Sequence, residues 1–271
     1  MISRALLGLY LVSFFAFLFG PLVVMGVTAF NTPTYPQVWP FEGFTLDWFA
    51  KLYQDDALMT GLRNSFLIGA LVVALSVPLG LAGALVMTQI YARARGLYYL
   101  VVVSPVLTPG VIVGISTVIF WKDVTAWTNT KPLFTGFFLA TLGQSTFISS
   151  YCMLIFLSRL QRYDRTQEEA ALDLGASHAM VMRRILLPHL YPAIGAGAAI
   201  AFFQSIENFN ITLFTRGPYD TMTVYVFSKV RSGITPTINA LAVILIAATL
   251  TGVLIVEMRR RYAAEDGKSG H

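Results

Sequence analysis

Charge is what this sequence has least of. Asp, Glu, Lys and Arg make up 12% of its 271 residues, where soluble domains carry about a quarter. With 56% of residues hydrophobic and a mean hydropathy of +0.66, that scarcity excludes an ordinary soluble domain and indicates a membrane protein. One cysteine, Cys152, lies inside an apolar run, which rules out a disulfide framework and paired thiolates for a metal. The three histidines, His178, His189 and His271, have no ligand spacing. Gly267-Lys268-Ser269 comes nearest to a phosphate-binding loop, but Tyr262 stands where such a loop needs glycine, and no strand precedes it. No Ser/His/Asp order and no His-Glu-x-x-His pattern accompanies it. The chain therefore reads as a non-enzyme with no cofactor of its own. The net charge of +5 would indicate nucleic acid in a soluble protein, but here the cations sit beside apolar runs, which indicates membrane orientation instead.

Six stretches hold no Asp, Glu, Lys or Arg: 5–41, 64–92, 96–121, 132–158, 185–206 and 232–256. A helix needs about 20 apolar residues to cross the hydrocarbon core, so each is long enough to span. The first covers its distance between Ala5 and Phe30, too long an apolar run for a cleaved signal peptide, and is read as an uncleaved span. The expected fold is all-α, with six transmembrane helices in one domain over 1–271. With both termini in the cytoplasm, 12 of the 19 Lys and Arg fall inside; Lys131 is among the 7 outside. That asymmetry favours N-in, C-in. It leaves an outer loop at about 31–63, aromatic enough for a short interfacial helix, and an inner loop at about 160–189. The tail Glu265–His271 is polar and reads as disordered.

The inner loop carries the most information. Thr166 followed by Glu169 is a capping-box spacing, which predicts a helix from Gln167 with Glu168 and Glu169 in its first turn. Gly175 is the natural stop, because glycine enters the left-handed conformation without steric cost. Ser177 is placed to cap a second helix, with Arg183 and Arg184 near its far end and Pro188 soon after it. Two short helices joined at a glycine make a rigid elbow. Glu169-Ala170-Ala171, three residues, Gly175, nine residues, then Ile185-Leu186-Leu187-Pro188 resembles the EAA loop of ABC importer permeases, in order and in both spacings.

That resemblance implies a good deal. The elbow would be the coupling helix that docks on an ATPase subunit, through Glu168, Glu169, Ala170, Ala171, Leu174, Gly175, Ile185, Leu187 and Pro188. The chain would pair with a second, homologous permease, two ATPase subunits carrying the ATP and Mg, and a periplasmic or extracellular substrate-binding protein. It would lie in a bacterial inner membrane, among lipid and without nucleic acid. The segment Thr223–Ala242 is similar to the spermidine/putrescine type of permease, which implies a polyamine or related small cation. That type has one or two aspartates where this chain has Ser205-Ile206-Glu207-Asn208. Other small solutes, such as an opine or a phosphonate, are the alternative within the family. An ion-coupled secondary transporter is the alternative outside it, and would show inverted repeats and midplane acids.

Polar groups at membrane depth are costly and mark a pathway when they face the protein interior. The candidates are Gln144, Ser149 and Tyr151 in the fourth span and Gln204, Glu207, Asn208 and Asn210 at the end of the fifth. Ser104–Gly110, with Pro105 and Pro109, predicts a break or kink in the third span. The small-residue run Ala193–Ala201 predicts close contact with another helix.

Overall fold

The computed structural model describes residues 4–130 and 134–266. Lys131, Gly267-Lys268-Ser269 and most of the polar tail lie outside those residues. Among the described residues the chain is all helix apart from one isolated antiparallel bridge, Asn31 to Phe44. The helices, in order, are α1 (Arg4–Ala29), α2 (Asp47–Tyr53), α3 (Asp56–Gln89), α4 (Ala92–Leu107), α5 (Gly110–Thr128), α6 (Gly136–Leu160), α7 (Thr166–Asp173), α8 (His178–Val181), α9 (Leu187–Ile206), α10 (Thr212–Thr215), α11 (Met222–Ser232) and α12 (Pro236–Asp266). A π-helical turn, Met182–Leu186, joins α8 to α9 without a gap. Five helical segments among the described residues are long and apolar enough to cross a membrane: Leu6–Ala29, Asp56–Gln89, Gly110–Thr128, Gly136–Leu160 and His178–Ile206. A sixth, Pro236–Gly252, is apolar but shorter.

Three boundaries differ from the sequence expectation. The outer loop ends before residue 63, because α3 begins at Asp56, where the Asp55 carboxylate accepts the Leu58 N–H at 3.0 Å and caps the helix. The stretch 96–121 is not one helix but two. Thr108, held extended (φ −86°, ψ 132°) by the proline that follows it, ends α4, and Pro109, with no N–H to give, precedes the first residue of α5. The second helix of the elbow does not stop before Pro188 but runs into the fifth span.

The chain forms two compact units. One comprises Met1–Met59 and Val226–His271. In it α1 packs along α12, and the Asn239 amide donates to Thr28 Oγ1 at 2.7 Å between two apolar surfaces. The loop after α1 is organised by Asn31: its Oδ1 accepts the N–H groups of Thr32 and Glu42, and its backbone carbonyl accepts the Trp48 indole N–H at 2.7 Å. The other face of α1 is bare apolar surface (Phe17 is 85% exposed), as a lipid-facing helix should be.

The second unit, Thr60–Tyr225, is built around α6. Ile148, Cys152, Met153 and Phe156 are fully buried at successive turns of α6, against Leu190, Ala193 and Ala201 of α9 and Ile68 and Val72 of α3. The stripe Ala193, Gly197, Ala201 recurs every four residues on the buried face of α9, as the small-residue run predicted. Phe156 lies over Gly197, where a Cβ would come 2.8 Å from the ring. On α3, a Cβ at Gly80 would lie 2.5 Å from Cys152 Cβ and 2.8 Å from the Ser149 carbonyl oxygen and the Met153 nitrogen. Backbone cannot yield there, so Gly80→Ala should cost about 1–3 kcal/mol through forced separation of α3 and α6. The expected result is a clear fall in the thermal unfolding midpoint of the detergent-solubilised protein, whereas Gly8→Ala on α1, with no atom within 4 Å of the new methyl, should leave it unchanged.

Candidate functional site

Two places on α9 and its extension gather the polar residues of the second unit. The first is the elbow. Its first helix starts one residue earlier than the capping-box reading gave, at Thr166, because Asp164 rather than Thr166 supplies the cap: Asp164 Oδ1 accepts the Thr166 N–H at 3.0 Å. Those hydrogen bonds hold the Asp164 carboxyl below its ordinary range. Glu168 and Glu169 then lie in the first turn, where the helix dipole favours them. They differ in surroundings. Glu169 is exposed, whereas Glu168 is half-buried beside Tyr163, whose phenol is pushed up first by burial and then by the Glu168 charge.

The helix ends as the sequence indicates. Gly175 adopts φ +87°, its N–H bonds the Leu172 carbonyl at 2.9 Å, and the Ala176 N–H bonds the Ala171 carbonyl at 3.0 Å. That paired closure is a Schellman motif, and it turns the chain sharply at a position a side chain would strain. Ser177 then caps α8 by accepting the Met180 N–H. The π turn keeps α8 and α9 in phase. The buried positions are Val181, Leu186, Leu190, Ala193, Gly197 and Ala201, with one five-residue step, from 181 to 186. That step falls in the wider turn, closed by the Leu187 N–H on the Met182 carbonyl, and it leaves Arg183 and Arg184 outside. Of the motif's last residues, Ile185 and Leu187 are half-buried and Pro188 is exposed; Leu186 between them enters the core.

The second place is the far end of α9. A cavity of about 330 Å³ opens where α9 ends and the α4–α5 break passes it. Tyr151, Gln204, Glu207, Asn208 and Asn210 line it together, with Pro105, Thr108 and Gly110 from the break. Glu207 is exposed at the C-cap of α9, so its carboxylate adds to the negative end of a 20-residue helix. No Lys, Arg or His stands among the described lining residues. The break is fixed there by contact: at Gly110 a Cβ would lie 3.1 Å from Asn210 Cβ, and at Gly114 one would lie 3.1 Å from the Ile211 carbonyl.

With these two places defined, the family model described as "Binding-protein-dependent transport system inner membrane component" matches residues 76–263, a span that contains both elbow and cavity. The chain belongs to this family. As an inner-membrane transport component it is similar to the putrescine transport system permease protein PotI of Escherichia coli K12, at 34% identity over 86% of this chain and 83% of that protein. It is similar also to the spermidine/putrescine transport system permease protein PotC of the same organism, at 27% identity over 96% of both chains. Its fold matches a chain of the bacterial alginate ABC transporter solved with an alginate-bound periplasmic protein, at a TM-score of 0.71 and 19% identity over 95% of this chain and 93% of that one.

The fold of this transport component does not bring every sequence candidate to the cavity. Gln144 is buried and bonded within the protein: its Nε2 donates to Thr212 Oγ1 at 2.8 Å, and its Oε1 accepts the Ser205 hydroxyl. Ser149 donates to the Thr146 carbonyl of its own helix. Asn208 lines the cavity, but its Oδ1 is taken by the Ile211 and Thr212 N–H groups, so it caps α10 as well. Sequence reasoning missed Arg165, counted only as an inner cation. Its guanidinium donates to the Thr88 carbonyl at 3.1 Å, tying the elbow to the last turn of α3. The signal was an arginine just before the capped helix, which pattern alone could not aim.

The glycine at the elbow gives a direct test. No atom lies within 4 Å of the methyl that Gly175→Ala would add, so any penalty comes from the backbone alone. Gly175→Val should cost the bend about 1–2 kcal/mol and reduce substrate uptake in cells while membrane levels of the protein stay normal. Gly175→Asn, which tolerates positive φ, should retain most uptake. Full uptake by the valine variant would show that the bend does not depend on this residue.

Proposed function

We propose that this chain is one transmembrane half of an ATP-driven importer for a polyamine or a closely related small organic cation. The observation that carries the reading is the cavity at the end of α9: a carboxylate at a helix C-terminus, three amides and a phenol, with no positive side chain among the described lining. The carboxylate attracts a cation and repels a phosphonate or another anion, while the amides and the phenol serve either. The names of PotI and PotC, putrescine and spermidine/putrescine permeases, support the same substrate class. One carboxylate serves one ammonium group, and the remaining polar groups of the substrate are left to amides and hydroxyls.

The rest of the assembly follows from the family and from the elbow. Both termini and the elbow lie in the cytoplasm, in keeping with the excess of Lys and Arg on that side. The elbow offers an ATPase subunit an exposed contact of mixed character: Leu174 is 89% exposed beside the equally outward Glu169 and Ala170. A large apolar side chain so placed on a polar loop is suited to a pocket on a partner. A second permease completes the pathway, and a binding protein delivers the solute.

Two measurements test this. In reconstituted complex, Glu207→Gln keeps the shape and removes the charge. At an exposed site that attraction is worth about 1 kcal/mol, so uptake of radiolabelled putrescine at limiting concentration should fall roughly fivefold. Equal uptake by wild type and variant across concentrations would remove Glu207 from the pathway. For orientation and partner, Glu169→Cys should crosslink to the ATPase subunit and a cysteine replacing Tyr35 should not. The reverse pattern would invert the topology.

A further inference from the structure

A second cavity, of about 440 Å³, lies beside the first and shares Pro105, Thr108 and Val113 with it. The α4–α5 break is thus a party wall, with the Glu207 cavity on one side. The second cavity has no carboxylate, carboxamide or basic group among its described lining; its polar part is made of five serine and threonine hydroxyls and the Trp121 indole N–H. Four of these have already committed their proton. Ser104 donates to the Val101 carbonyl at 2.8 Å, Thr108 to Ser104 at 2.9 Å, Thr117 to Val113 at 2.7 Å and Thr146 to Leu142 at 2.9 Å. A hydroxyl has one proton and two lone pairs, so a hydroxyl bonded back to its own helix presents only acceptor capacity to anything that arrives. Phe120 and Trp121 complete the lining, and the Trp121 indole is held edge-to-face with Phe138, ring centroids 4.8 Å apart at 85°. Aromatic faces carry negative charge density.

We infer that this second cavity is an uncharged way-station for an ammonium group, reached from the Glu207 cavity past the Thr108–Pro109 break. The inference rests on the cationic substrate proposed above and narrows it to amines with N–H donors. An ammonium has three donors and no acceptor, which matches lone pairs and π faces. A sugar or an amide would bring acceptors that the four committed hydroxyls cannot serve, with only the Ser116 hydroxyl and the Trp121 N–H as donors on the wall. The absence of a carboxylate fits passage rather than storage, because a site on a conduction path must be weak enough to release what it binds. A di- or polyamine can then keep one ammonium near Glu207 while another advances onto the aromatic and hydroxyl wall.

The test uses the complete reconstituted transporter with radiolabelled putrescine and spermidine. Trp121→Leu, and separately the pair Thr117→Val with Thr146→Val, should each lower initial uptake about fivefold, the effect expected of losing a cation–π contact or its equivalent in lone pairs. Trp121→Phe, which keeps a ring face, should retain at least about half of the wild-type rate. ATPase assembly, read by co-purification, should be unchanged in all of them. If the hydroxyls serve only their own helices, valine will transport as threonine does, and wild-type uptake by the valine pair and by Trp121→Leu overturns the way-station alone. Equal loss in the Trp121→Phe and Trp121→Leu variants also overturns it, since packing against Phe138 would then account for the effect. Failure of the wild-type complex to take up either amine is a different result and overturns the polyamine reading on which the inference stands.

Discussion

The structure of the second unit depends on the contact between α6 and α9. Within lipid there is no hydrophobic drive to bring two apolar helices together, since lipid tails are as apolar as leucine, and close packing has to do it. Ala193, Gly197 and Ala201 provide the flat stripe on α9, and Phe156 fills the space that the missing side chain of Gly197 leaves. Everything assigned to function hangs from the two ends of that contact. At one end the helix extends through the π turn into the elbow; at the other it stops at Glu207 and opens the cavity. His178–Ile206 has 29 residues. At about 1.5 Å per residue the two places are separated by roughly 40 Å of continuous helix. No loop intervenes between them, so the helix joins the elbow to the cavity directly.

The break between α4 and α5 has the opposite character. It interrupts a span where the backbone would otherwise be satisfied, and such an interruption is tolerated only against protein or a water-filled space. Here it meets both. Gly110 and Gly114 let the start of α5 lie directly on the Asn210–Ile211 segment, and the remaining side faces the two cavities. A proline pair and two glycines thereby place the only irregular backbone of the third apolar stretch beside both cavities.

What the sequence disclosed divides by range. The elbow was legible in detail because its determinants are local: Gly175 needs positive φ, Ser177 has its N–H partner three residues on, and the motif spacing is contiguous. Pro105 and Pro109 announced a break for the same reason, and the small-residue run Ala193–Ala201 announced the helix contact. Gln144 was misleading because its partners, Thr212 and Ser205, are more than sixty positions away in sequence, so a buried structural amide and a pathway amide look alike. Asn208 hid a capping role behind a short helix too brief to be read from periodicity. The extension of the elbow into α9 escaped because Pro188 reads as a stop in an α-helix, whereas the wider π turn just before it carries the helix past a residue with no N–H to give. Glu168 and Glu169 are adjacent and equivalent on paper; only the fold turns one toward Tyr163 and leaves the other outward.

The chain of hydrogen bonds from Ser205 through Gln144 to Thr212 has a further consequence. These groups are satisfied by one another and by backbone capped in turn by Asn208. They need neither water nor solute to complete them. On the proposed pathway, a solute in the neighbouring cavity meets a network that already has its own partners. Its entry or departure therefore has none of these bonds to break or complete.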